Sequence, residues 1–472
     1  MIKLNEIANL PIQEIKKYYR QYINIGTPKI LNMLGFDKLE PEYAEGMFIY
    51  TKDKRKIYDF TGGISVLNLG HNHPRILAAR SKFNESKHME VWKLFLSPYL
   101  AVLSKNLAEI CPGDLNYSFF CNSGAEANEG ALKIASKYQG SKKDKIIYTD
   151  VSYHGKTHAT LSVSGIEKSK KYFKLLEGCV QIPYGDCNAL EEVINEHINQ
   201  HTKKNDIAAL IIEAVNAGTV TIPQSGYLQK VRKLCTENDI LLIIDDIFCG
   251  FGRTGAMFSF QHENIVPDIF TVSKSLGGGK ASIAAYVVRD HIYKKAYGDM
   301  KNYMIHSSTF NGLGEECYTA IEAINVIIEE NLVENSKNMG KYLRRGLNQL
   351  KKKYPDIILD VKGIGLLNSL VLSRPGEKII NTLGRGISFF KDLGDGVFSG
   401  IVVSQLLHKY SILITPSVHR KNMLLINPPL IITKEDVDYF IESLDDYFSK
   451  GFIGMGTSFG KMKFTNAINN II

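Results

Sequence analysis

The sequence predicts an α/β protein built on a mostly parallel sheet with helices on both faces, accompanied by a smaller α+β unit. Three observations carry this expectation. Short β-branched runs alternate with amphipathic stretches through the middle of the chain, each run closes on a polar residue, and long helical patterns take over after about residue 326. Strand, helix, strand in that rhythm is the signature of parallel pairing with crossover helices.

Residues 1–80 read as loop-rich, with turn signals at Asp59-Phe60-Thr61-Gly62-Gly63 and His71-Asn72-His73-Pro74. Lys145–Tyr148, Ile207–Glu213, Ile240–Asp245 and Asp268–Val272 read as buried strands. Between them, Leu190–Gln200 and Gly226–Asn238 carry helical spacing, and Asn335–Lys353 does so later, ahead of strand-like pieces near Ile364–Leu372 and Met423–Asn427. The expected division is an N-terminal segment, 1–80, that helps complete the small domain, a large domain over 81–325 and a C-terminal small domain over 326–472. The tail from Lys450 to Ile472 offers no pattern. In open parallel sheets ligands bind beyond the carboxyl ends of the strands, so the residues just after each run are the candidates for chemistry.

The 472 residues are 44% hydrophobic and 22% charged, ordinary values for a soluble globular protein that exclude wholesale disorder, collagen and coiled coil. Apolar runs such as Ile240–Ile244 fall far short of the about 20 residues that span a bilayer, so no membrane partner is expected. The opening Met-Ile-Lys-Leu-Asn-Glu has no basic stretch leading into an apolar one, and no secretory signal is predicted. Seven cysteines without a CxxC pair argue against a disulfide framework and for a reducing cytoplasm. The formal charge of +8 comes from dispersed lysines and short clusters such as Lys351–Lys353, with no recognition motif for nucleic acid.

Four features converge. Asn122-Ser123-Gly124-Ala125-Glu126-Ala127-Asn128-Glu129 leads small residues into a helix, whose first-turn N–H groups and dipole suit a phosphate; an ordinary capped helix has the same signature. Asp245 closes an apolar strand, where a carboxylate stabilises a cationic heterocycle or simply solvates a strand end. Lys274 follows another strand beside Gly277-Gly278-Gly279, and a lysine desolvated there forms a Schiff base with an aldehyde. Tyr153, in Tyr153-His154-Gly155, stacks on a flat ring or fills core. Phosphate cup, pyridinium partner, reactive lysine and ring stacker are together what pyridoxal 5′-phosphate requires.

With those residues in view, about residues 40–440 resemble the class III pyridoxal-phosphate aminotransferases of fold type I, the ornithine, acetylornithine and putrescine group. Besides the segments above, the resemblance rests on Asn68-Leu69-Gly70-His71, Tyr153-His154-Gly155-Lys156-Thr157, Glu213, Gly250-Phe251-Gly252-Arg253-Thr254-Gly255, Ser273-Lys274 and His306-Ser307-Ser308-Thr309-Phe310. It implies a seven-stranded sheet in the large domain and a homodimer with active sites at the interface, serving a small-molecule amino donor and carbonyl acceptor. It also implies roles: Lys274 as covalent anchor and proton shuttle, Asp245 on the pyridine nitrogen, Ser123, Gly124 and Ala125 on the phosphate, and Tyr153 on one ring face beside His154. Ile247 would pack on the other face, Thr309 would reach the phosphate of the neighbouring subunit, and Glu213 would support from behind.

The chain also departs from the pattern. Where relatives read Glu-Pro-x-x-Gly-Glu, it has Glu213-Ala214-Val215-Asn216-Ala217-Gly218, so the second acid is missing. Leu425 stands where many relatives carry an arginine three residues before Pro428-Pro429, and Phe248 and Cys249 replace polar residues. In relatives that acid and arginine pair, and the arginine binds a substrate α-carboxylate. Loss of both is coherent, because an unpaired buried charge is costly. The expected substrate is therefore a terminal amine, or another amine or aldehyde not held by an α-carboxylate in the usual way, with Arg420 or Lys421 as alternative anion holders. The same fold also hosts amino mutases, racemases and decarboxylases. A non-catalytic nucleotide-binding protein using Gly250-Phe251-Gly252 is disfavoured by the absent third glycine of a dinucleotide fingerprint.

Overall fold

The structure is a computed structural model that describes residues 1–202, 204–373, 397–452 and 454–455. Most of the C-terminal tail, and residues 374–396 of the expected small domain, lie outside the described residues.

The strands are β1 (Pro41–Glu45), β2 (Phe48–Thr51), β3 (Lys56–Asp59), β4 (Tyr117–Cys121), β5 (Lys145–Thr149), β6 (Cys179–Ile182), β7 (Ile207–Ile212) and β8 (Leu241–Asp245). There follow β9 (Ile269–Val272), β10 (Ala284–Val288), β11 (Ile358–Ile364), β12 (Leu367–Leu372), β13 (Ile412–Leu413), β14 (Thr415–Pro416) and β15 (Met423–Ile426). Seven of them form the central sheet in the order β4-β10-β9-β8-β7-β5-β6. Only β10 runs against its neighbours; β8 and β9 pair parallel, as do β7 with β8, β5 with β7 and β5 with β6. Every residue of β7, β8, β9 and β10 is buried, as strands covered on both faces must be, and that explains their unbroken apolar sequence.

The four strands read from the sequence are present, each shifted by no more than a residue at either end. The helical patterns resolve to Cys187–Glu196, Tyr227–Glu237 and Leu332–Lys353. Two readings change. The N-terminal flank is more regular than loop-rich: it holds helices Ile12–Tyr18 and Gly26–Leu34 and the β1–β3 meander. Its helices are hard to see in sequence because they are short and leave apolar side chains such as Ile30 and Leu31 on the surface. The piece near Ile364–Leu372 is the hairpin of β11 and β12, broken at Gly365, where φ is +53° and a Cβ would meet the backbone of Thr254 at 2.3 Å.

Two smaller sheets flank the central one. β13 from the last quarter of the chain pairs parallel with β3, and β11-β12-β15-β14 forms the other. Among the described residues no helix is long and apolar enough to cross a membrane.

Candidate active site

The carboxyl ends of β4, β5, β7, β8 and β9 share one rim of the central sheet, because these five strands point the same way. Each is followed by one of the residues singled out above: Ser123, Tyr153, Glu213, Asp245 and Lys274 in turn.

Beyond β4, Ser123 caps helix Gly124–Gln139, its hydroxyl accepting from the Glu126 N–H at 3.3 Å, while the Glu126 carboxylate takes the Asn122 N–H at 3.0 Å. This reciprocal cap leaves Gly124 and Ala125 in the first turn, where a helix supplies their N–H groups with no acceptor. The cup is narrow: a Cβ on Gly124 would sit 2.8 Å from Ile247 Cδ1.

Asp245 is buried and holds three donors. Its Oδ2 accepts from Asn128 Nδ2 at 2.8 Å and pairs with His154 Nδ1 at 2.7 Å, and its Oδ1 accepts from the Ile247 N–H at 3.0 Å. Asn128 is fixed in turn by donating to the His154 carbonyl (2.8 Å) and accepting from Thr271 on β9 (2.7 Å). His154 Nε2 is buried with no hydrogen-bond partner among the described residues. Asn128 escaped notice in the sequence although it lies inside a quoted motif. Its signal is its spacing, one helical turn past Gly124 and so on the face beneath the cup.

Glu213 follows β7 and clamps two loops. Its Oε1 accepts from the Tyr153 N–H (3.2 Å) and Asn216 Nδ2 (2.9 Å), and its Oε2 from the Ala217 N–H (2.9 Å). Burial pushes this carboxyl up to about 7; the nearby Asp245 adds to the rise, while His154 and the N–H donors oppose it. Glu213 thus acts on the loop that carries Tyr153, whose own ring remains 44% exposed.

Lys274 opens a tight turn between β9 and β10 in the left-handed region, φ 46°, a conformation costly for a side chain with a Cβ. Its amine has no hydrogen bond or ion pair among the described residues and lies 4.0 Å from the centre of the Phe248 ring. Burial lowers its pKa to about 8, against the attraction of Asp245. An amine with a lowered pKa and no hydrogen-bond partner among the described residues, held in a strained turn, is suited to attack a carbonyl.

Thr309 does not join these residues. It is exposed on the segment 300–310, which approaches the cup where Asn122 Nδ2 donates to the Phe310 carbonyl at 3.5 Å and where the His306 ring lies 4.4 Å from that of Phe119. The residues that do converge match the chemistry of pyridoxal 5′-phosphate: first-turn N–H groups for a phosphate, a fixed carboxylate for a ring nitrogen, and a partnerless amine for an aldehyde.

The departures have structural counterparts. Leu425 packs with Phe248 and Ile364 against Val215, Ala217, Val220, Cys249, Leu367, Val371 and Met423 in an apolar cluster. The His419 ring lies over Gly218, so that a Cβ there would come within 2.3 Å of it.

Comparison with known proteins agrees with this chemistry. The ornithine aminotransferase of Toxoplasma gondii is 27% identical with a TM-score of 0.75, covering 89% of this chain and 92% of its own. A transaminase from the marine bacterium Virgibacillus is 26% identical with a TM-score of 0.76, covering 89% and 94%. The (S)-enantioselective omega-transaminase of Thermomicrobium roseum is 25% identical with a TM-score of 0.74, covering 86% and 92%. Residues 36–448 match the family described as Aminotransferase class-III, and the chain belongs to that family of pyridoxal 5′-phosphate-dependent transaminases.

Proposed function

We propose that this transaminase moves an amino group between a donor and an aldehyde or ketone acceptor, its principal substrate being a terminal amine or another compound not gripped by an α-carboxylate. The observation that carries this reading is the apolar cluster around Leu425, which leaves no buried cation or acid at the position relatives use for carboxylate recognition. An unpaired charge added there would lose several kcal/mol of solvation.

When bound, pyridoxal 5′-phosphate supplies the electron sink and carries the amino group between the two half-reactions. Gly124 and Ala125 N–H groups, with the Ser123 hydroxyl, would hold its phosphate, and Tyr153 and Ile247 would flank its ring, with His154 alongside. Asp245 would face the ring nitrogen and keep it protonated, its charge fixed in place by Asn128, His154 and the Ile247 N–H. Lys274 Nζ takes the proton from the amine-bearing carbon of the donor and returns it in the reverse sense to the acceptor. Its lowered pKa makes the uncharged amine available near neutral pH. Phe248 shields that amine from water on one side.

The homodimer is part of the same proposal. Leu94 and Leu96 are almost fully exposed, as are much of Phe95, Met300, Tyr303 and Phe310. Lys93 Nζ, 2.5 Å from the Ser308 carbonyl, joins the two segments that carry them. A continuous exposed apolar surface bordering the cup suits a second copy of the chain, which would bring Thr309 to the neighbouring phosphate. Seven unpaired cysteines support a reducing cytoplasm, and the division at about 80 and 325 fits the pairing of β13 with β3.

A donor screen by single-turnover absorbance tests the reading. Simple amines should convert the cofactor to its amine form, and ornithine or 4-aminobutyrate should do so poorly. Equal use of those amino acids would overturn the carboxylate-free reading. Conversion without any amine-form cofactor would point to mutase, racemase or decarboxylase chemistry instead.

A further inference from the structure

The loop after β7 and the turn before β15 are tied together beside the apolar cluster. Ser417 Oγ donates to the Gly218 carbonyl at 2.6 Å and accepts from the His419 and Arg420 N–H groups, both at 3.1 Å. The turn closes with the Ser417 N–H on the Met423 carbonyl and the Met423 N–H on the Arg420 carbonyl. These bonds fix the turn's backbone and aim the His419 imidazole across Gly218. Gly218 is not in the left-handed region, so its missing side chain serves the ring's approach and nothing else. Ala217 and Val215, just before Gly218 in the chain, share a cluster with Cys249, Phe248 and Leu425, and the Phe248 ring lies 4.0 Å from Lys274 Nζ. Neither ring nitrogen of His419 has a hydrogen-bond partner among the described residues, and neither is among the fully buried orphans.

We infer that His419 is a specificity-determining residue, closing the far end of the substrate pocket and hydrogen-bonding a polar group at the distal end of an otherwise hydrocarbon amine. The inference rests on the transaminase reading of the site. A chain extending from the reacting carbon runs along Phe248 and Leu425, which offer no polar atom, and the imidazole at its end both donates and accepts. Burial keeps that imidazole below its ordinary pKa, hence largely neutral at pH 7, so it favours a hydroxyl, amide or amine over a carboxylate. This arrangement selects by length and by terminal group, because a polar atom stopping short of His419 would be buried unpaired.

The test compares 5-aminopentan-1-ol with pentylamine as donors, reading kcat/KM of the half-reaction in the holoenzyme and donor-induced shifts of thermal midpoint in the cofactor-free protein. Wild type should prefer the amino alcohol by roughly tenfold, the size of one net hydrogen bond. His419→Leu should abolish the preference, and His419→Gln should restore part of it. Gly218→Ala, which keeps the imidazole but displaces it, should behave like His419→Leu. A wild type without preference, or a preference that survives His419→Leu, overturns the inference. If an amino acid converts the cofactor while both probes fail, the inference falls and the aminotransferase reading stands.

Discussion

Two cations sit on consecutive loops of the sheet rim, one after β8 and one after β9, and they are treated oppositely. Arg253 is fully buried, and its guanidinium donates four hydrogen bonds to neutral oxygens. It bonds Ser65 Oγ (2.9 Å), Asn68 Oδ1 (2.6 Å), the Leu366 carbonyl (3.1 Å) and the Pro428 carbonyl (2.5 Å). Burial lowers it to about 9, still charged at neutral pH. Lys274 has no hydrogen bond or ion pair among the described residues and stands near 8. A cation with four of its five N–H groups occupied fastens structure, here joining the N-terminal segment, the β8 loop and the C-terminal third. A cation denied partners is kept for reaction, and the fold tolerates its strain.

The sharpest way to break the contrast is Lys274→Ala. The donor half-reaction should fall by at least about a thousandfold, with little change in the urea midpoint. Arg253→Met should do the reverse, costing about 3–5 kcal/mol by urea unfolding because four oxygens lose their donor in the interior. Arg253→Lys should recover little of it, since an ammonium lacks the fork geometry.

A gentler probe is pH. Burial favours the neutral amine of Lys274 in the folded state, so unfolding takes up a proton between about pH 8 and the ordinary lysine range. Relative to Lys274→Met, the cofactor-free protein should therefore gain stability as pH rises through that window, by up to about 3 kcal/mol. A flat difference between the two proteins would mean that Lys274 titrates as an ordinary surface lysine. The smallest effect should come from Thr271→Val, which removes one hydrogen bond from Asn128 Oδ1 and should cost about 1 kcal/mol by urea unfolding.

The Lys274 half of this contrast was legible in the sequence as a residue on the sheet rim, and the Arg253 half was not. Asp245 and Lys274 end or follow apolar runs, and a run plus its terminal polar residue is a local pattern. The parallel sheet follows from the same periodicity. Arg253 was visible only as part of a glycine motif, because its partners lie 113 to 188 residues away. Asn128 likewise acts on Asp245 across 117 residues. Loss of the acid at 218 could be read directly, but the ring that fills its place comes from a turn 200 residues later. Sequence spacing reports what a strand delivers to the rim; what that rim is braced against depends on contacts that periodicity does not encode.

The seat of His419 on Gly218 has an evolutionary consequence. A descendant regaining the acid of its relatives cannot begin at position 218, where any side chain meets the imidazole. Position 419 must shrink or swing away first, and only then does a charged residue at 218 have room and, with arginine restored at 425, a mate. The order of these changes is thus set by packing, and sequences that take the steps out of turn should be depleted among natural ones.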